Sequence, residues 1–133
     1  MELHNKAVLV VDDDRSVRET LVLVLQHHGF TARSVDSGEA ALFEARQHPP
    51  NVAILDILLP GLNGIESALR LRQALPSCRI LLISGGATAT DMLNDAAAKG
   101  HFFEVLAKPT APDELIATLE RSSPRKTSLY FGN

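Results

Sequence analysis

Short apolar runs alternate with helix-period segments five times along this chain, and that rhythm narrows the fold more than any other feature. Ala7-Val-Leu-Val-Val11 is rich in β-branched residues and predicts a strand buried on both faces. A helix is expected over about Arg15–His28, with Val17, Leu21, Val24 and Leu25 on one face and Gly29 as its stop. Phe30 to Val35 alternates and reads as a second strand, after which Ser37 can cap a helix that Pro49-Pro50 ends near Gln47. Val52-Ala-Ile-Leu55 is the third strand. Asn63 and Glu66 then form a capping-box pattern for a third helix that Pro76 closes. Arg79–Ile83 is the fourth strand, and an Ala-rich helix over about Thr88–Lys99, with Met92 and Leu93 to bury, ends at Gly100. Phe102–Ala107 is the fifth strand. Pro112 opens a last helix with Asp113 and Glu114 at its positive end, although Ala111 is a poor cap. Such alternation predicts an α/β fold with a five-stranded parallel sheet and helices on both faces. Right-handed crossovers then bring every strand's carboxyl end to one edge, where such sheets bind ligands.

The 133 residues suit one domain, expected over 1–121. The tail, 122–133, has no periodicity and is expected to be mostly unstructured, with no effector domain after Arg121. Cys78 is the single cysteine, so no intrachain disulfide forms and a structural role is expected for it. A net charge of −3 gives no electrostatic reason to expect direct nucleic-acid binding, and Arg121, Arg125 and Lys126 read as part of a solvated tail. No apolar run approaches the ~20 residues a membrane span needs. Met1 to Lys6 is too polar for a signal peptide. The expectation is a cytoplasmic protein with no membrane partner.

The polar residues at the strand ends carry the chemistry. Asp12-Asp13-Asp14 follows the first strand, Asp56 the third, Ser84 the fourth and Lys108-Pro109 the fifth. Carboxylates crowded at one rim repel, and at neutral pH they need a cation or raised pKa values. All-oxygen ligands suit a hard ion, with Mg²⁺ the natural choice. An Asp beside such an ion can attack phosphorus to give an acyl phosphate, with the cation, Lys108 and the Ser84 hydroxyl stabilising the transition-state charge. Asp and Ser after a strand also serve as turn or cap residues, and Asp14 is read that way. The five histidines, His4, His27, His28, His48 and His101, show no shared ligand face.

Four segments, Val8-Leu-Val-Val-Asp12-Asp13-Asp14, Leu55-Asp56-Ile-Leu-Leu-Pro60-Gly61, Ile83-Ser84-Gly85 and Ala107-Lys108-Pro109, resemble in order the signature segments of response-regulator receiver domains. The likeness extends from about Lys6 to Arg121. It implies the flavodoxin-like, doubly wound strand order 2-1-3-4-5. It also implies a phosphoacceptor at Asp56, with Asp13, Asp56 and the Leu58 carbonyl as Mg²⁺ (or Mn²⁺) ligands and Asp12 acting through water. Ser84 would hydrogen-bond the phosphoryl group and Lys108 would pair with its charge, the Lys108–Pro109 bond being cis. The phosphoryl donor would be a sensor histidine kinase or a histidine phosphotransfer protein. The output would be a downstream protein target or a homodimer, through the fourth helix, fifth strand and fifth helix.

The chain departs from that family at Val105, where a Tyr or Phe often stands, and the stretch from Gly100 to Lys108 is one residue longer than usual. Phe103, two residues earlier on the same side of a strand, is the candidate substitute. Leu58 and Gly86 flank the expected water path to the phosphoryl group, and neither can orient water through a side chain, so slow self-dephosphorylation is expected. Two alternatives stay open. One is a receiver-like binding module that works without phosphorylation. The other is an aspartyl-phosphate phosphohydrolase with paired Asp12 and Asp14, although Ser16 stands where that pattern wants Thr or Val.

Overall fold

β-Branched and leucine-rich runs, apolar on both sides, form the three central strands of a parallel sheet in the computed structural model, which describes residues 6–122. The readings of residues 1–5 and of the tail from 123 onward lie outside the described residues. The elements run β1 (Ala7–Val11), α1 (Arg15–His27), β2 (Thr31–Val35), α2 (Gly38–Gln47), β3 (Val52–Asp56), α3 (Gly64–Ala74), β4 (Arg79–Ser84), α4 (Ala87–Ala98), β5 (Glu104–Ala107) and α5 (Pro112–Glu120). The strands pair in parallel in the order β2-β1-β3-β4-β5, as the family resemblance implied. Among the described residues no helix is long and apolar enough to cross a membrane.

The two-residue period of a strand divides the core into two layers. Leu9, Val11, Ala53, Leu55, Ile80 and Leu82 face α2, α3 and α4, meeting residues such as Leu42, Ile65 and Leu71. Val8, Val10, Val52, Ile54, Leu81, Ile83 and Leu106 face the other way, against Leu25 of α1 and Leu115, Ile116 and Leu119 of α5.

Helix ends follow the predicted caps. Asp14, Ser37 and Asn63 accept from the backbone N–H three residues on, at 3.2, 3.0 and 2.9 Å. Glu66 returns the bond to the Asn63 N–H, completing the capping box. α4 and α5 have no side-chain cap. Gly29 and Gly100 follow α1 and α4 with φ of +93° and +88°, the left-handed turn that stops each helix.

The fifth strand is shorter than expected and begins at Glu104 rather than Phe102. Arg72 of α3 accounts for this: its Nη2 donates to the Phe102 carbonyl at 3.1 Å, and its guanidinium lies 4.4 Å from the Phe103 ring centroid. Phe102 and Phe103 therefore form the approach to the strand. Phe103 is buried in the α2–α3–α4 core, while Val105 stays 37% exposed.

At the opposite edge from the strand carboxyl ends, Arg79 opens β4 with a buried guanidinium. It makes a two-pronged bond to Glu104 at 3.0 and 2.7 Å and donates to the carbonyls of Thr118, Leu119 and Arg121 at 3.0, 3.5 and 2.9 Å. One side chain thus ties β4 to β5 and supplies donors for the orphan carbonyls at the end of α5. Asp113 and Glu114 favour the other end of that helix. Arg79→Ala strands the Glu104 carboxylate in a largely dry setting, so denaturant unfolding is expected to lose about 3 kcal/mol. A loss below about 1 kcal/mol would show that the pair contributes no more than a surface bridge.

Candidate functional site

Parallel register carries the candidate side chains to one place. Val11 of β1 pairs with Leu55, so Asp12 lies beside Asp56, the last residue of β3. Asp56 pairs with Ile83, and Ser84 pairs with Ala107, the residue before Lys108. β3 and β4 each run one residue further than expected, which puts Asp56 and Ser84 on the strands themselves.

Carboxylate oxygens of Asp12, Asp13 and Asp56 lie within 4.8 Å of one another. Asp12 and Asp56 are only 3% and 5% exposed, whereas Asp13 opens to solvent. Lys108 Nζ donates to Asp56 Oδ2 at 2.8 Å, and the Leu58 N–H donates to Oδ1 at 3.3 Å. The Asp14 N–H donates to Asp12 Oδ1 at 2.9 Å. Burial pushes the Asp12 carboxyl above its ordinary value; the Asp14 bond works against this, and the neighbouring Asp56 charge adds to it. For Lys108 burial is the largest single influence and acts downward. The hydrogen bond and charge of Asp56, with Asp12 and Asp13 beyond, together outweigh it, so the ammonium lies above its ordinary value.

Ser84 is partly exposed, and its carbonyl accepts from the Lys108 N–H at 2.8 Å. The lysine stem lies along Gly85, where a Cβ would stand 3.0 Å from Lys108 Cδ. The Lys108–Pro109 bond is cis, as the resemblance implied. Leu58 holds its side chain 42% exposed on the loop after Asp56. Gly64 lets α3 abut that strand end, since a Cβ there would stand 2.2 Å from the Asp56 carbonyl oxygen.

Other polar residues fall outside the cluster. Asp14 caps α1 through the Val17 N–H, so it is not the second carboxylate that a phosphohydrolase reading requires. The histidines among the described residues take no part in it; His28 Nδ1, for instance, lies 3.0 Å from the Val24 carbonyl. Cys78 is buried, and burial pushes its thiol up to about 11, which keeps it protonated and unreactive.

One neighbour was not foreseen. Arg18 Nη1 lies 3.4 Å from the carbonyl oxygens of both Asp12 and Asp13, bracing the acidic turn from α1. Its sequence signal was its place four residues beyond the Asp14 cap, which puts it one turn into the helix, on the side of the acidic turn.

Residues 8–120 match the family model of the response regulator receiver domain. The response regulator MprA of Mycobacterium ulcerans is 35% identical over 124 residues, which are 92% of this chain and 51% of that protein. The DNA-binding response regulator MtrA of Mycobacterium tuberculosis is 32% identical over 117 residues, 88% of this chain and 50% of that protein. The chain thus spans about half the length of the curated relatives it matches. Among solved structures, the chemotaxis protein CheY4 of Vibrio cholerae superposes with a TM-score of 0.76 at 28% identity, covering 88% of this chain and 98% of that one. NtrX of Brucella abortus gives a TM-score of 0.77 at 27% identity, covering 88% of this chain and 26% of that one. With the parallel order, the acid cluster and the matched span in agreement, this chain belongs to the receiver domains of two-component response regulators.

Proposed function

We propose that this receiver domain accepts a phosphoryl group on Asp56 in a Mg²⁺-dependent reaction and that the modification switches its protein contacts. The observation that carries this reading is the buried Asp56 carboxylate, gripped by Lys108 at 2.8 Å and set within 4.8 Å of Asp12 and Asp13. A carboxylate oxygen of Asp56 attacks phosphorus of a phosphohistidine, the P–N bond breaks, and the imidazole leaves with a proton drawn from solvent. Lys108 faces the growing negative charge, and the Ser84 hydroxyl donates to a phosphoryl oxygen.

Three carboxylates against one ammonium leave the site acidic, and every donor atom is oxygen, which fits a hard dication. Asp13, Asp56 and the Leu58 carbonyl would hold Mg²⁺ (or Mn²⁺) directly, with Asp12 acting through water. When bound, the ion would supply further positive charge to the developing phosphoryl oxygens.

The donor on this reading is a sensor histidine kinase or a histidine phosphotransfer protein in the cytoplasm. The output face is α4–β5–α5, which meets a downstream protein or a second copy of the chain. The receiver unit is residues 1–121 and the tail 122–133. MtrA is a DNA-binding regulator, but this chain answers to half its length, and a net charge of −3 gives that half no attraction to DNA. Val105 favours a second reading, a binding module that works without phosphorylation, because no aromatic ring stands there to follow Ser84 inward.

Incubation with a small phosphodonor and Mg²⁺ separates the two. Intact mass is expected to rise by one phosphoryl group in the wild type, but not in Asp56→Asn or in the presence of chelator. No gain under any condition would leave the binding module as the working reading.

The raised Asp12 value sets a pH dependence. Stability tied to the neutral acid is complete below the unfolded value of ~3.9 and is lost as pH rises through the higher folded value. Above that folded value, without divalent cation, the fold therefore carries an unfavourable ionised Asp12. Asp12→Asn keeps an acceptor for the Asp14 N–H, so in chelator at pH 7 its thermal midpoint is expected to rise by about 3 °C, the gain fading towards pH 4. A midpoint below the wild type's would contradict this account.

Leu58 bears on the lifetime of the phosphorylated form. Its exposed apolar side chain gives an attacking water no partner, whereas Leu58→Gln places an amide beside Asp56. Phosphate release followed by mass is expected to quicken at least about threefold. An unchanged or slower rate would remove Leu58 from the explanation of lifetime.

A further inference from the structure

The loop from Asp56 to α3 is closed at its base, where the Gly64 N–H donates to the Ile57 carbonyl at 2.9 Å. The Ile57 N–H is tied to β4 through the Ile83 carbonyl at 3.1 Å, and the side chains of Ile57 and Leu59 are buried. Between these anchors Leu58, Pro60 and Gly61 are exposed, and the tip is held from two neighbouring elements. The buried Ser67 hydroxyl donates to the Asn63 carbonyl at 2.7 Å and to the Leu62 carbonyl at 3.5 Å. From the other side, Glu39 in the first turn of α2 accepts the Leu62 N–H on Oε2 at 3.1 Å.

Two glycines show how closely this contact is fitted. Gly61 turns with φ of +70°, and a Cβ there would stand 2.9 Å from that same Oε2. At Gly38 a Cβ would stand 2.0 Å from Ser67 Oγ and 2.9 Å from the Leu62 carbonyl oxygen. The start of α2 therefore seats directly on the tip. Glu39 itself is exposed and has no place in the core, where α2 contributes Ala41, Leu42 and Ala45. Its fixed partner is a backbone amide of the loop that leaves Asp56.

We propose that Glu39 is a positioning residue for the cation site: by holding the Leu62 amide it fixes the loop that presents the Leu58 carbonyl, and so sets the affinity for Mg²⁺. This rests on the metal reading above. A carboxylate accepting from a backbone N–H makes one of the stronger hydrogen bonds, but solvent exposure moderates its effect here. Coupling is reciprocal, so Mg²⁺ in turn tightens the Glu39–Leu62 bond.

The test titrates the full chain with Mg²⁺ alone, without phosphodonor, for wild type, Glu39→Ala and Glu39→Gln. Glu39→Ala is expected to weaken Mg²⁺ about fivefold. Glu39→Gln keeps an acceptor oxygen at the same reach and is expected to restore most of the affinity. Unchanged affinity in Glu39→Ala overturns the proposal, and so does a Gln variant as weak as Ala, since the effect would then follow charge rather than the hydrogen bond. A wild type that binds no Mg²⁺ overturns the metal reading and this inference with it, a result distinct from the other two. A readout on the wild type alone covers the case of an Ala variant that does not fold. Hydrogen exchange at the Leu62 amide is expected to slow on adding Mg²⁺ by about the same fivefold. An exchange rate indifferent to the ion counts against the coupling.

Discussion

Parallel strands deliver all their carboxyl ends to one edge, and here that constraint forces three carboxylates and a lysine into one small volume. The rest of the molecule is arranged around this crowding. β1, β3 and β4 are buried on both faces, so the strand ends are held by a core that cannot shift without opening both layers. Three caps, Asp14, Ser37 and Asn63, start the helices beside that same edge. Short-range chemistry fixes each of these three turns separately.

That crowding has an energetic consequence. Asp12 is nearly inaccessible and sits beside like charges, so the ionised form is disfavoured in the fold. Lys108 offsets part of the repulsion through a single bond to Asp56, and it remains partly exposed. The contrast with the other edge is instructive. There Arg79 and Glu104 meet in a two-pronged bond, and the remaining donors of Arg79 go to carbonyls at the end of α5. One edge carries an ion pair that ties elements together; the other gathers three carboxylates around one lysine. Stability and function are thus placed at opposite ends of the same strands.

The fold could be read from the sequence because its signals are local: β-branched runs, cap residues at fixed offsets and glycines at helix ends. The cluster could be read because parallel topology converts strand-end positions into neighbours. What escaped was set by contacts distant in sequence. β5 begins late because Arg72, 30 residues away, holds the Phe102 carbonyl and covers the Phe103 ring. Glu39 reaches the Leu62 amide across 23 residues, and no pattern around Glu39 announces that. Arg18, which braces the acidic turn through the carbonyls of Asp12 and Asp13, is the local exception, marked only by its place one turn beyond the Asp14 cap. Asp14 is the instructive counter-case, since its cap role was readable from its place just before a helix, and the same place excludes it from the cluster.

Val105 and α4 together indicate where a change at Asp56 would be felt. Phe103, the candidate substitute for the missing aromatic ring, is buried upstream beneath Arg72, while Val105 is 37% exposed. α4, by contrast, is lightly anchored. It has no side-chain cap, enters through Gly85 and through Gly86 at φ +89°, and fully buries only Ala89 and Ala96. Elements with so little apolar grip lie at the low-stability end of a fold, from which switching segments are drawn. Ser84 and Lys108 both adjoin that entry, the lysine stem lying along Gly85. Under the proposed chemistry, drawing Ser84 and Lys108 onto a phosphoryl group pulls directly on the start of α4. The helix as a whole, rather than one rotating ring, is then the part of this receiver with the freedom to respond.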